Sequence, residues 1–230
     1  MRKKALAVLF AVCMIFLAAG CGRGGHGGVN SFGNTTNGIY VHKDASVQDV
    51  VYYDFDTEKY DVDEFRTFLQ AELDEYNNSH EFIKPEPETN ADGEVVSESS
   101  MTAPIEIVEC SAKNNELCVQ LLYANAGDYL TYMAESVEER GGNTLQSGYL
   151  LYADASVQNA AFVDEDGDAI DMEKLLGSKK ADRYRYVICN FESVIYSDGN
   201  VYGYTVNGTY SKQNNCVTVP AGQEVIVLFK

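Results

Sequence analysis

Five carboxylates crowd the stretch DEDGDAID, residues 164–171. Hard oxygen donors at this density suit a calcium ion, with Asp164, Asp166, Asp168 and Asp171 as candidate ligands. The EF-hand spacing is not met, because Gly167 would need an Asp five residues earlier and Phe162 stands there. An Asp-Gly pair between apolar residues also reads as a plain hairpin turn. Cysteine is the second reactive type. Cys110 and Cys118 flank SAKNNEL, and a three-residue turn would bring them face to face as a disulfide. Cys189 and Cys216 complete a set of four that equally suits buried free thiols. A fixed zinc site is not indicated, since no C-x-x-C pair exists and His26, His42 and His80 are scattered. Tyrosine is the third: the chain has 16 Tyr and no Trp. NVYGYTVNGTY places Tyr202, Tyr204 and Tyr210 close in sequence, with the first two expected on one strand face. Such rings would stack on sugars, although Tyr also fits half-buried sheet positions.

Catalytic signatures are missing. There is no G-x-S-x-G and no Walker loop, and His80-Glu81 opens an H-E-x-x-H pattern that Lys84 breaks. A G-x-G-x-x-G match at Gly22, Gly24 and Gly27 follows no strand and is set aside. No catalytic residue is therefore assigned. A two-carboxylate hydrolase acting on polysaccharide or wall polymers stays open as the alternative, because 35 acids offer many pairs.

The N-terminus is more specific. Arg2, Lys3 and Lys4 precede an uncharged apolar run from Ala5 to Ala19, too short to span a bilayer. This is the pattern of an export signal over residues 1–20. Its end, LAAGC, resembles the lipobox of bacterial lipoproteins, with Ala18 where that family usually has Leu. The resemblance implies acylation of Cys21 and a membrane partner reached through the lipid, on the outer face of the cell membrane. Two acyl chains on one residue give stable anchoring.

Removing residues 1–20 takes away three bases and no acid, so the formal charge becomes (17 − 3) − 35 = −21. A body this acidic repels phosphate backbones, which argues against nucleic acid as a partner. It also stands off an anionic bilayer. Residues 21–37 have the Gly/Asn/Ser/Thr composition of a flexible tether. Residues 38–230 are long enough for one domain with a sizeable core.

The elements follow from pattern. GIYVHK and VQDVVYYDF read as strands. Asp61 opens a helix whose Phe65, Phe68, Leu69, Leu73 and Tyr76 share one face. Asp63, Arg66, Glu72 and Asp74 take its wet face. Residues 84–100 read as an acidic loop, and a hairpin then turns at SAKNN. A second helix carries Tyr129, Met133 and Val137 and stops at Gly141. The tail alternates as a meander. This predicts an α+β fold, a mainly antiparallel sheet with two to three helices.

The pentapeptide DASVQ occurs at Asp44–Gln48 and again at Asp154–Gln158. With an offset of 110, Asp54, Asp56 and Asp61 align with Asp164, Asp166 and Asp171. That suggests either a diverged internal duplication, with repeat halves 38–140 and 148–230, or convergence on one strand–turn–helix solution; Gly38–Phe65 and Gly148–Leu175 should follow the same strand–turn–strand–helix path. Val47 and Val157 should point inward, and the Ser and Gln of each motif should take the opposite face.

FDTEKYDVDEFRTFLQAELDEYN, YANAGDYLTYM and VTVPAGQEVIVLFK are similar to stretches of uncharacterised lipoproteins of Gram-positive anaerobes. The resemblance implies export and fold type and names no site residue. The expected role is binding or scaffolding at the cell envelope, with a glycan or protein partner and no cofactor other than a calcium ion.

Overall fold

The computed structural model describes residues 37–85, 87–89, 95–136 and 142–230. The expected signal sequence, Cys21 and all but the last residue of the expected tether lie outside them, as do Val137 and Gly141.

Runs of Val, Ile and Tyr form the first strands, β1 (Gly38–Val41) and β2 (Val47–Asp54). Helix α1 (Val62–Ser79) starts where the Asp61 carboxylate accepts from the backbone N–H of Asp63 at 2.8 Å and of Glu64 at 3.2 Å. Its stripe buries Leu69, Leu73 and Tyr76, while Phe65, Phe68 and also Glu72 are half-buried. Burying each Leu stabilises the fold by about 1.5–3 kcal/mol. The small pair β3 (Glu88–Thr89) and β4 (Val95–Ser97) precedes the hairpin β5 (Ile105–Lys113) and β6 (Glu116–Tyr123). Helix α2 (Ala126–Ser136) is headed by Asn125, which accepts from Asp128 N–H at 3.0 Å and donates to the Asp128 carboxylate at 2.8 Å.

The second half is built from shorter pieces. These are β7 (Leu145–Tyr149), α3 (Ala155–Gln158), β8 (Phe162–Val163), α4 (Met172–Leu176), β9 (Arg185–Cys189), β10 (Ser193–Ser197), β11 (Val201–Thr205), β12 (Thr209–Ser211), β13 (Cys216–Val219) and β14 (Val225–Phe229). Single 3-10 turns occupy Leu150–Tyr152 and Ala181–Arg183.

The fold is α+β, and its strands make two mostly antiparallel main sheets rather than one. The seven-stranded sheet runs β12-β13-β10-β1-β2-β6-β5, and the five-stranded sheet runs β7-β9-β14-β11-β8. Within them only β1 and β10 pair in parallel. Four helices appear among the described residues, two of them the short α3 and α4. The main core joins the sheets: Ile39, Val47, Tyr123, Ile195 and Val217 from one meet Val187, Val225, Val227 and Phe229 from the other, with α1 and α2 closing one side. A second core lies on the far face of the five-stranded sheet. There Leu150, Val157, Phe162, Leu175 and Tyr184 cover Tyr186, Ile226 and Leu228.

The expected common path of the two DASVQ segments is not observed. The first is a turn at Asp44–Ser46, with Ala45 at φ 65°, leading into β2. The second is helical, with Asp154 ahead of α3. Val47 and Val157 do point inward, at 0% and 2% exposure. Ser46 and Gln48 are buried as well, whereas Ser156 is exposed and Gln158 half-buried. The segments also enter different sheets, β2 in the larger and β7 and β8 in the smaller.

Tyr123 is fully buried between the sheets, its ring edge-on to Tyr129 at 5.1 Å, and its hydroxyl has no hydrogen-bond partner among the described residues. A buried unpaired hydroxyl costs about 1–3 kcal/mol. Tyr123→Phe is therefore expected to raise the unfolding free energy by about 1 kcal/mol in urea titration. A lower midpoint in the variant would show that the hydroxyl is paired in solution.

Candidate functional site

The residues that could do chemistry are mostly employed in holding the chain. Asp164 caps a tight turn: its carboxylate accepts from the N–H of Asp166 and of Asp168, both at 3.0 Å, and Gly167 takes φ 87°. Asp171 caps α4 by accepting from Lys174 N–H at 3.0 Å. Among the described residues no group of three His, Cys, Asp or Glu side chains gathers as a metal site.

The Cys110–Cys118 disulfide is corrected by register. The hairpin turn has two residues, Asn114 and Asn115 at φ 54° and 60°, not three. Cys110 therefore pairs with Val119, and Cys118 with Ser111. Neighbouring positions alternate faces, so the two thiols lie on opposite sides of the sheet. All four described cysteines are free and buried, and burial pushes each thiol above its usual pKa. Such thiols are poor nucleophiles at neutral pH.

The tyrosine patch is also divided. Strand β11 bulges: Val201 pairs with Phe229 and Gly203 with Leu228, leaving Tyr202 as the extra residue. Tyr202 then packs in the far core against Tyr184 at 4.6 Å, while Tyr204 packs in the main core. Tyr204 and Tyr210 do come together, with ring centroids 5.9 Å apart. A side chain on Gly203 would collide with Ile170, so this close approach needs glycine.

A polar chain crosses the outer face of the large sheet. His42 Nδ1 lies 3.1 Å from Asp198, and its Nε2 lies 3.3 Å from Gln48 Oε1. Gln48 donates to Gln120 at 2.8 Å, Gln120 donates to Glu109 at 2.9 Å, and Ser111 donates to the other Glu109 oxygen at 2.6 Å. Both imidazole nitrogens are thus engaged, and His42 acts as a clamp between the ends of β1 and β10. Beside α2 a cavity of about 320 Å³ is lined by Tyr129, Met133, Glu135 and Asn143, with Glu135 its one carboxylate among the described residues.

Apart from the exposed Tyr60, an aromatic surface lies at the end of edge strand β7. Tyr149 is 40% exposed, Leu151 39% and Tyr152 81%. Between them Leu150 is fully buried and donates its N–H to Tyr184 O at 2.9 Å, which pins the turn. Gln158 of the second DASVQ donates to Leu150 O and Leu151 O, both at 3.2 Å. Arg185, the registered partner of Tyr149, places its guanidinium 4.7 Å from that ring's centroid. These contacts present two tyrosines, a leucine and an arginine on a held turn. The sequence signal was GYLLY, where every residue but Gly148 is apolar or aromatic and a 3-10 turn cannot bury them all.

Comparison with protein-family models, with curated proteins and with solved structures finds no match for this chain.

His42 gives a pH signature. Burial lowers its pKa, but the hydrogen bond and charge of Asp198, with Gln48 and Asp44, outweigh that and leave it raised above 6.5. A raised folded pKa stabilises fully below the unfolded value and loses that contribution as pH rises through the folded value. Urea midpoints of the parent chain should fall from about pH 6 to about pH 9 more than those of His42→Gln. Parallel profiles would show that the clamp does not titrate there.

Proposed function

We propose that the chain is a lipid-anchored, extracytoplasmic binding protein of the cell envelope that meets its ligand on the Tyr149–Tyr152 turn. The observation that carries the reading is the exposure of Tyr149, Leu151 and Tyr152 around the buried Leu150, on a turn whose backbone is held by Tyr184 and Gln158. Large side chains on a pre-set backbone lose little conformational freedom when a ligand covers them. Tyrosine adds a flat apolar face and a polar tip, the combination suited to a sugar ring. The lipobox supports the anchor, and the formal charge of −21 after loss of residues 1–20, (17 − 3) − 35, supports a body that stands away from an anionic bilayer.

The anchor is tested with Cys21→Ala. The variant is expected to leave the membrane fraction and to lose labelling by radioactive palmitate. Retention of both would remove the lipoprotein assignment. The surface is tested on the same chain by co-sedimentation with purified wall polysaccharide. Tyr149→Ala and Tyr152→Ala are each expected to weaken binding about tenfold, which is about 1.4 kcal/mol. Unchanged binding in both would place the ligand elsewhere.

A further inference from the structure

We infer that the Tyr149–Tyr152 turn takes an anionic glycan, whose negative groups meet a strip of bases on the adjoining segment. This rests on the binding reading above and adds the charge of the ligand. The chain holds 17 Lys and Arg against 35 Asp and Glu, yet residues 178–185 carry Lys179, Lys180, Arg183 and Arg185 against Asp182 alone, a local 4 − 1 = +3. Lys179, Lys180 and Arg183 are exposed, and Arg185 is half-buried. Among the described residues none of these four makes an ion pair, while Lys59, Lys84 and Lys212 each hold a carboxylate.

The strip and the turn are one surface. The 3-10 turn Ala181–Arg183 leads into Tyr184, which receives the Leu150 N–H, and Arg185 lies against the Tyr149 ring. Lys230 extends the strip, its ammonium 5.6 Å from the Tyr184 ring centroid. The acids on this side include the exposed Asp182 and Asp154, and the half-buried Asp164, whose charge reaches Tyr202 beside Tyr184. A guanidinium stacked on a ring keeps its in-plane N–H groups free for a carboxylate or a phosphodiester. A bilayer is the weaker occupant. A planar anionic surface would face much of a strongly acidic body within a Debye length of about 8–10 Å. A polymer chain can follow the basic strip alone, and one leucine with two tyrosines offers little area for insertion.

The test uses the full chain with Cys21→Ala, so that no acyl group competes. Retention is compared on immobilised polygalacturonate, a phosphodiester-linked hexose polymer and neutral dextran, with co-sedimentation on phosphatidylglycerol vesicles in parallel. One or both anionic polymers should bind at least about tenfold more tightly than dextran. The polymer preferred tells whether carboxylate or phosphodiester is the group recognised. Lys180→Glu with Arg183→Glu, and separately Tyr152→Ala, should each cost about tenfold. Lys179→Glu with Lys180→Glu is a second reversal, and circular dichroism verifies that every variant is folded. Equal retention on dextran, sensitive to Tyr152→Ala but not to charge reversal, overturns the anionic ligand and leaves the aromatic surface standing. Sensitivity to reversal but not to Tyr152→Ala overturns the inference, as does stronger binding to the vesicles. Retention on none of the materials overturns both this inference and the surface reading.

Discussion

Strand β14 is buried along its whole length, Val225 to Phe229, and this double-faced burial governs the rest of the structure. Val225, Val227 and Phe229 face the large sheet, while Ile226 and Leu228 face the other way. A strand apolar on both faces needs a cover on both. The large sheet supplies one. The other must come from the segment between β7 and β9, which contains only short helices, β8 and turns. Each short piece can insert one or two anchors, such as Leu150, Val157 or Leu175. The side chains beside those anchors are then left outside. Tyr149, Leu151 and Tyr152 flank Leu150 in sequence, and their exposure follows from the depth at which Leu150 is held. The candidate ligand surface is thus a by-product of how the far core is closed.

The repeated pentapeptide shows what a sequence of this length decides and what it leaves to context. In both copies Val is an inward anchor, and that much was readable from apolarity. The path was not. Asp49-Val50-Val51-Tyr52-Tyr53 follows the first copy and favours a strand, which pairs along its length with β6. Asn159-Ala160-Ala161 follows the second and offers no β-branched run, so a single helical turn suffices. Gln performs opposite tasks in the two settings. Gln48 links His42 to Gln120 across strands, whereas Gln158 ties two carbonyls of a turn.

Helix α1 was legible because its capping Asp61 and a 3.6-residue stripe reinforce each other, and α2 was legible from its apolar spacing alone. The antiparallel hairpin β5–β6 was legible too, but its register was not. One residue separates a two-residue turn from a three-residue turn, and that one residue moves Cys118 to the other face. The bulge at Tyr202 acts in the same way, sending Tyr202 and Tyr204 to different cores. Neither offset leaves a mark in composition or alternation. Site residues proposed from strand periodicity are therefore exposed to single-residue errors that helix periodicity tolerates.

The charge distribution sets competing forces on any anionic ligand. At long range the acidic body repels it, which slows encounter. Within a Debye length the bases of residues 179–185 attract it, which slows departure. Added salt screens both, so encounter speeds up while the bound state loosens. The net change with ionic strength is smaller than the larger component, and a weak salt dependence of affinity would hide two opposite kinetic effects. Neutralising the body while keeping the strip would separate them, because only the encounter rate carries the long-range part. For such a ligand the local strip would decide whether it stays, and the distant acids how often it arrives.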